Sequence, residues 1–191
     1  LYSQKVTIAG LNGPNQTVIS GDSDAVTAVM SHFEQQGKRV VQLKVSHAFH
    51  SPHMDSMLEE FHSIAQTCTF RKPKIPIVSN LTGQLATEAE LMSAKYWVDH
   101  VRGAVRFVDG MKSLASTGVT ALIEVGPRGV LCGMGAACVD GDAIALIPSH
   151  RKIEDETTTL LKAMGAYFAE GFSPALVKPF DGSSPQFVTL P

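Results

Sequence analysis

The sequence predicts an α/β fold built in layers around a largely parallel sheet, and three observations carry that prediction. Short apolar runs bounded by turn residues alternate with longer segments whose apolar positions recur at helical spacing. One run, Thr120-Ala121-Leu122-Ile123-Glu124-Val125, is almost continuously apolar, as in a strand covered on both faces. It leads through Gly126-Pro127-Arg128-Gly129 into a helix of small residues, after which residues 143–147 supply a further strand.

The earlier elements follow from local chemistry. Residues 5–9 and 16–20 are β-rich and flank the turn-forming Asn12-Gly13-Pro14-Asn15. Asp22 or Ser23 caps a helix with Ala25, Val26, Val29, Met30 and Phe33 on its apolar face, and Gly37 stops it. Residues 39–45 alternate as the next strand. Strand, strand, helix, strand is the later part of a ferredoxin-like unit, so residues 1–45 are read as an incomplete small subdomain.

Ser51 with Pro52 behind it opens a second section. Met54, Met57, Leu58, Phe61, Ile64 and Ala65 form the buried stripe of its first helix. Residues 75–78 read as a short strand, Thr87-Glu88-Ala89-Glu90 as a capping box, and Tyr96-Trp97-Val98 as helical. Phe107, Val108, Met111, Leu114 and Ala115 mark another helix, ended by Gly118. Residues 46–148 thus form the larger α/β part. Beyond Ser149 a helix carries Leu160, Leu161, Met164, Tyr167 and Phe168 on one face. It leads into residues 172–191, rich in Pro, Gly and Ser, which are expected to lie extended over a neighbouring domain.

Composition narrows the function. The chain has 191 residues, 44% hydrophobic, and a formal net charge of −2. A length of this order normally means one domain, with or without an appendage. No basic face marks a nucleic-acid binder, and the apolar runs are too short and interrupted to span a membrane. Cys68, Cys132 and Cys138 form no CxxC pair and are read as reduced thiols of a cytoplasmic protein. The start, Leu1-Tyr2-Ser3-Gln4-Lys5, has neither an initiator methionine nor a signal-peptide pattern, so the chain is expected to belong to a longer polypeptide.

Functional groups are densest at His47-Ala48-Phe49-His50-Ser51-Pro52-His53. Three readings are open. The segment is a polar loop with incidental histidines; or His47, His50 and His53, three apart, hold a metal, although no HExxH and no paired cysteines complete such a site. In the third, one histidine is a general base beside a sheet edge, where open α/β proteins place their sites. Imidazole suits that work because its ordinary pKa, about 6.5, lets it take and return a proton near neutrality.

Residues 45–55 around that cluster closely resemble the acyltransferase domains of modular polyketide synthases and animal-type fatty acid synthases. Three segments match in order: Asn12-Gly13-Pro14, then Tyr96-Trp97-Val98-Asp99-His100-Val101-Arg102 with Val105-Arg106-Phe107, then Glu124-Val125-Gly126-Pro127. The resemblance runs over essentially the whole chain, and residues 149–191 look like the linker that follows such domains. It implies the C-terminal part of an α/β-hydrolase-like acyltransferase core beside the incomplete ferredoxin-like subdomain.

His50 then matches the family's general base. The resemblance implies that it deprotonates a serine attacking malonyl-CoA and then serves the phosphopantetheine thiol of an acyl carrier protein, in two steps through an acyl-serine ester. Main-chain carbonyls, not an aspartate, orient the imidazole in this family, and His100 falls at the matching position. Asn12 matches an asparagine lining the active site; as a turn residue it is equally well explained. His47, Ala48, Phe49 and His50 form the tetrad that accompanies malonyl selection in related domains. A malonyl-CoA thioester is implied as substrate, with no covalently bound cofactor and no metal.

The family's nucleophile sits in a GHSxG elbow, and no Gly-x-Ser-x-Gly occurs in this sequence. The arginine that pairs with the malonyl carboxylate lies in the same unmatched half, and Arg102, Arg106 and Arg128 do not match it. The chain alone is therefore expected to be inactive, with the serine-bearing half and an adjacent ketosynthase and linker among its partners. The alternative is a non-catalytic binding or scaffold fragment of the same fold. A cysteine-dependent hydrolase using Cys132 is a third possibility, weakened by the placement of that residue inside a helix.

Overall fold

The computed structural model describes residues 4–140, 143–152 and 154–174. The chain divides into two compact units, the first ending at Gly118 and the second beginning at Val119.

In the first unit, β1 (Val6–Gly13) and β2 (Gln16–Gly21) pair antiparallel, with Thr7 opposite Ser20 and Ile8 opposite Ile19. β1 also runs beside Val105. The Val105 amide donates to Ala9 and the Leu11 amide to Val105, at 2.9 and 2.8 Å. Gly21 ends the hairpin at φ +153°, where a Cβ would stand 1.9 Å from the Lys5 carbonyl oxygen. That contact is impossible for any side chain, so only glycine lets the Asp22 amide reach the same oxygen at 2.8 Å.

α1 (Ser23–Gln35) starts at Asp22 as read from sequence, but the Asp22 carboxylate makes no capping bond. The chain then reaches a single 3-10 turn at Pro52–Met54 and α2 (Asp55–Thr67). α3 (Glu88–Leu91) opens with the expected capping box: Thr87 accepts from the Glu90 amide and Glu90 from the Thr87 amide. α4 (Ala94–Arg102) packs on α2, and the Arg102 Nε–Asp55 contact of 2.6 Å ties their ends together. α5 (Phe107–Ser116) packs on β1 and stops at Thr117-Gly118, with Gly118 at φ +79°.

In the second unit, β3 (Ala121–Glu124) pairs parallel with β4 (Ala145–Pro148). The short α6 (Val130–Gly135) connects them, and α7 (Glu156–Ala169) packs on β4. The Glu124 carboxylate accepts from the amides of Val130 and Cys132 at 3.0 and 2.8 Å, fixing the Gly-Pro turn against its strand. Burial pushes this carboxyl up, but the amides of Cys132, Leu131 and Val130 outweigh it and hold its pKa below the usual value.

Three expectations are corrected. Residues 39–45 form no strand, although Val41, Leu43 and Val45 alternate as one would; they are 62%, 55% and 68% exposed. A strand exists only by pairing, and no described segment offers this one an edge. Residues 75–78 shrink to a single bridge between Val78 and Leu85, since Pro76 removes a ladder donor. β3 is not covered on both faces, because Ile123 is 47% exposed and Val125, just beyond it, 88%. The expected tail lies outside the described residues from 175 onward; before that, Phe172 stacks on Tyr167 of α7 at 4.5 Å.

Candidate active site

The site is built where the loop between α1 and α2 meets the start of β1. His50 sits at φ +58°, alone among the described non-glycine residues in having a positive φ. An L-residue there gives up about 1–2 kcal/mol, so the surroundings must hold it.

Two hydroxyls do so. Thr7 Oγ1 on β1 donates to the His50 carbonyl at 2.8 Å. Ser51, with 0% of its surface exposed, donates its hydroxyl to the Ala48 carbonyl at 2.6 Å and accepts from the His53 amide at 3.2 Å. The second contact caps the Pro52–Met54 turn, as the Ser-Pro pair predicts. A further clip joins His53 Nε2 to Asp22 Oδ1 at 2.6 Å, which explains why Asp22 does not cap α1 with its own side chain.

These contacts hold the backbone that carries the His50 ring. Its Nδ1 is buried and has no hydrogen-bond partner. A neutral imidazole that accepts a proton at Nε2 carries its own proton on Nδ1, and that N–H calls for an acceptor. Near the end of α4, His100 lies in the turn whose carbonyls have run out of intrahelical donors.

The His100 ring rests against Tyr96 and Trp97, with centroids 6.0 and 6.4 Å away. Burial first, and then the charge His50 carries when protonated, hold its pKa below the ordinary histidine value. Below about pH 6.5 the unfolded chain takes up this proton more readily than the fold does, so stability falls as pH drops from there toward the folded pKa. His100→Phe keeps an aromatic ring but no titration. Urea midpoints at about pH 7.5 and about pH 5.5 are expected to differ less in that variant than in the parent.

The rest of the expected site distributes as follows. His47 and Phe49 are exposed, the latter by 53%, and their rings touch at a centroid distance of 5.8 Å. Ala48 contributes the carbonyl that Ser51 holds. Asn12 lies toward the other end of β1, five residues and about 16 Å of strand beyond Thr7. The three-residue spacing of His47, His50 and His53 does not gather them on a common ion. His47 Nδ1 meets Ser46 Oγ at 2.9 Å, His53 is held by Asp22, and no group of three potential ligands forms among the described residues. Arg102 and Arg106 are engaged by Asp55 and Asp109. Burial and the neighbouring Glu124 push the Cys132 thiol pKa up, which opposes its use as a nucleophile. The sequence reading missed Thr7 and the Asp22–His53 clip. Nothing local announces either, because the partners are 43 and 31 residues apart.

The chain is a mixed α/β protein whose densest cluster of functional groups lies on the loop that carries His50. The chain belongs to the acyl transferase domain family, whose model matches residues 2–174. It is 40% identical, over 98% of its length, to the spectinabilin polyketide synthase system protein NorB of Streptomyces orinoci, of which it spans 9%. The acyltransferase domain from the second module of the salinomycin polyketide synthase superposes with a TM-score of 0.88 at 38% identity, over 99% of this chain and 45% of that one. A malonyl-transacylase in complex with a type II polyketide synthase acyl-carrier protein superposes at 0.75 with 25% identity, over 86% of this chain and 51% of that one. The chain thus has the fold of polyketide synthase acyltransferase domains over about half of such a domain. Among the described residues, no helix is long and apolar enough to cross a membrane.

Proposed function

We propose that this chain is the C-terminal part of a malonyl-selective acyltransferase domain of a cytoplasmic, multifunctional polyketide synthase. Residues 1–45 belong to its ferredoxin-like subdomain, 46–148 to its hydrolase-like core and 149–191 to the linker that follows. His50 is the general base. It takes the proton of a serine as that oxygen attacks the malonyl-CoA thioester, and returns it to the departing coenzyme A thiol. It then deprotonates the phosphopantetheine thiol of the carrier protein, which displaces the serine oxygen, and the proton goes back to serine.

The observation that carries this reading is the His50 ring itself, held at a costly backbone angle with Nδ1 turned inward. A main-chain carbonyl at His100 is the acceptor we assign to that Nδ1–H in the complete domain; the nitrogen has no hydrogen-bond partner here. Asn12 lines the same cleft in the complete domain. The serine and the malonyl-binding arginine are supplied by polypeptide outside this chain, whose sequence has no Gly-x-Ser-x-Gly. That missing motif is also what favours the second reading, a scaffold fragment without chemistry. Intact mass separates the two: a complete domain carrying this sequence gains one malonyl adduct from malonyl-CoA, and the isolated chain gains none. A complete domain that stays unmodified supports the scaffold.

Phe49, with His47 and Ala48 beside it, sets the extender unit by filling the volume an α-methyl branch needs. One methyl is worth about 1–3 kcal/mol, or roughly 10–200-fold. Phe49→Ser in the complete domain is expected to lower the preference for malonyl-CoA over methylmalonyl-CoA by a factor in that range. Competing both thioesters and weighing the acyl-enzymes reads the ratio directly; an unchanged ratio removes Phe49 from the specificity account.

A further inference from the structure

The loop carrying His50 has no regular structure of its own, yet its carbonyl is tied to a side chain 43 residues earlier. Thr7 lies on β1 with its neighbours fixed on both sides, by the ladder to β2 and by the α5 helix packed on the strand. Its hydroxyl is therefore a rigid point. Ser51 pins the peptide on one side of His50 through the Ala48 carbonyl, and Thr7 pins the peptide that follows His50. Between those two points the backbone must turn through φ +58°, and that turn aims the Cα–Cβ bond.

We propose that Thr7 is a positioning residue for the acyl-transfer reaction: its hydroxyl locks the left-handed backbone of His50 and so aims the imidazole at the serine oxygen. Thr7 touches neither substrate nor the reacting atoms, and its effect passes wholly through His50. The inference rests on the assignment of His50 as the base. An aim lost by about an ångström costs on the order of 100-fold in rate, because proton transfer needs hydrogen-bond distance. The same base serves both half-reactions, so both slow together. Binding of the thioester is untouched.

The test uses a complete domain carrying Thr7→Val, Thr7→Ser and His50→Asn in parallel. Valine keeps the shape of threonine and removes the hydroxyl; serine keeps the hydroxyl and removes the methyl. Single-turnover formation of the malonyl-enzyme, and its transfer to carrier protein, are followed by intact mass. Thr7→Val is expected to slow both steps by ~10–100-fold with the KM for malonyl-CoA unchanged, and Thr7→Ser to stay within about threefold of the parent. Parental rates in Thr7→Val overturn the proposal. So does an equal loss in valine and serine variants, which assigns the effect to packing, and so does a rise in KM with rates intact. If His50→Asn is fully active, the general-base reading fails first; if His50→Asn is dead while Thr7→Val is normal, only the role of Thr7 falls. Should Thr7→Val not fold, Thr7→Ser against Thr7→Ala makes the same comparison.

Discussion

Replacing His50 by asparagine in a complete domain is expected to reduce malonyl-enzyme formation by about 100- to 10,000-fold, the range a positioned general base contributes. Each tenfold corresponds to about 1.4 kcal/mol of barrier, so the loss amounts to about 3–6 kcal/mol. Asparagine is the informative replacement. Position 50 stands at φ +58°, and asparagine tolerates that region better than other residues with a Cβ, so the loop keeps its path while the proton acceptor goes. Alanine would remove the ring and leave the backbone strain, mixing two effects. The measurement is a single-turnover mass assay at saturating malonyl-CoA, with the urea midpoint as a check on folding. A variant that folds as the parent does and still acylates at the parental rate would remove the imidazole from the mechanism.

The parts of this molecule that were legible from sequence are those whose causes are local. Ser51-Pro52 announced a helix start, and the buried Ser51 hydroxyl does accept the His53 amide. Thr87 and Glu90 announced a capping box, and both of its bonds form. Gly118 announced a stop and takes the positive φ that a stop requires. Residues 39–45 and 75–78 failed for the opposite reason. Alternating apolar residues state that a segment is fit to be a strand, whereas a strand is made by the edge beside it. Val41, Leu43 and Val45 have the pattern and no described partner, so they stand in solvent.

The site divides in the same way. His50 and its tetrad were readable as a cluster of chemical groups, but the backbone angle that aims the imidazole was not. That angle is tied to Thr7, far away in the chain, and the inward-facing Nδ1 follows from no spacing rule. Likewise the three histidines at even spacing invited a metal. In the structure His47 meets Ser46, His53 meets Asp22 and His50 stands apart from both, because a loop has no periodicity to gather every third residue on a common side.

Ser51→Ala is expected to lower the stability of the complete domain by about 2–4 kcal/mol, a large change for the loss of one oxygen atom. Two terms make it up. The start of the Pro52–Met54 turn loses its cap, which costs about 1 kcal/mol. The Ala48 carbonyl, held by Ser51 at 2.6 Å, loses its donor in a place closed to water on the serine side, at about 1–3 kcal/mol. Nothing offsets either term, since alanine adds no contact where a fully buried hydroxyl had two. Urea titration reads the result as a fall in midpoint at unchanged slope, the signature of a change in stability without a change in the surface exposed on unfolding. The acylation rate falls in the folded fraction as well, because the peptide preceding the imidazole is then free to turn. If the midpoint does not move, the hydroxyl of Ser51 is not what closes the loop, and the left-handed angle at His50 must be held from the Thr7 side alone.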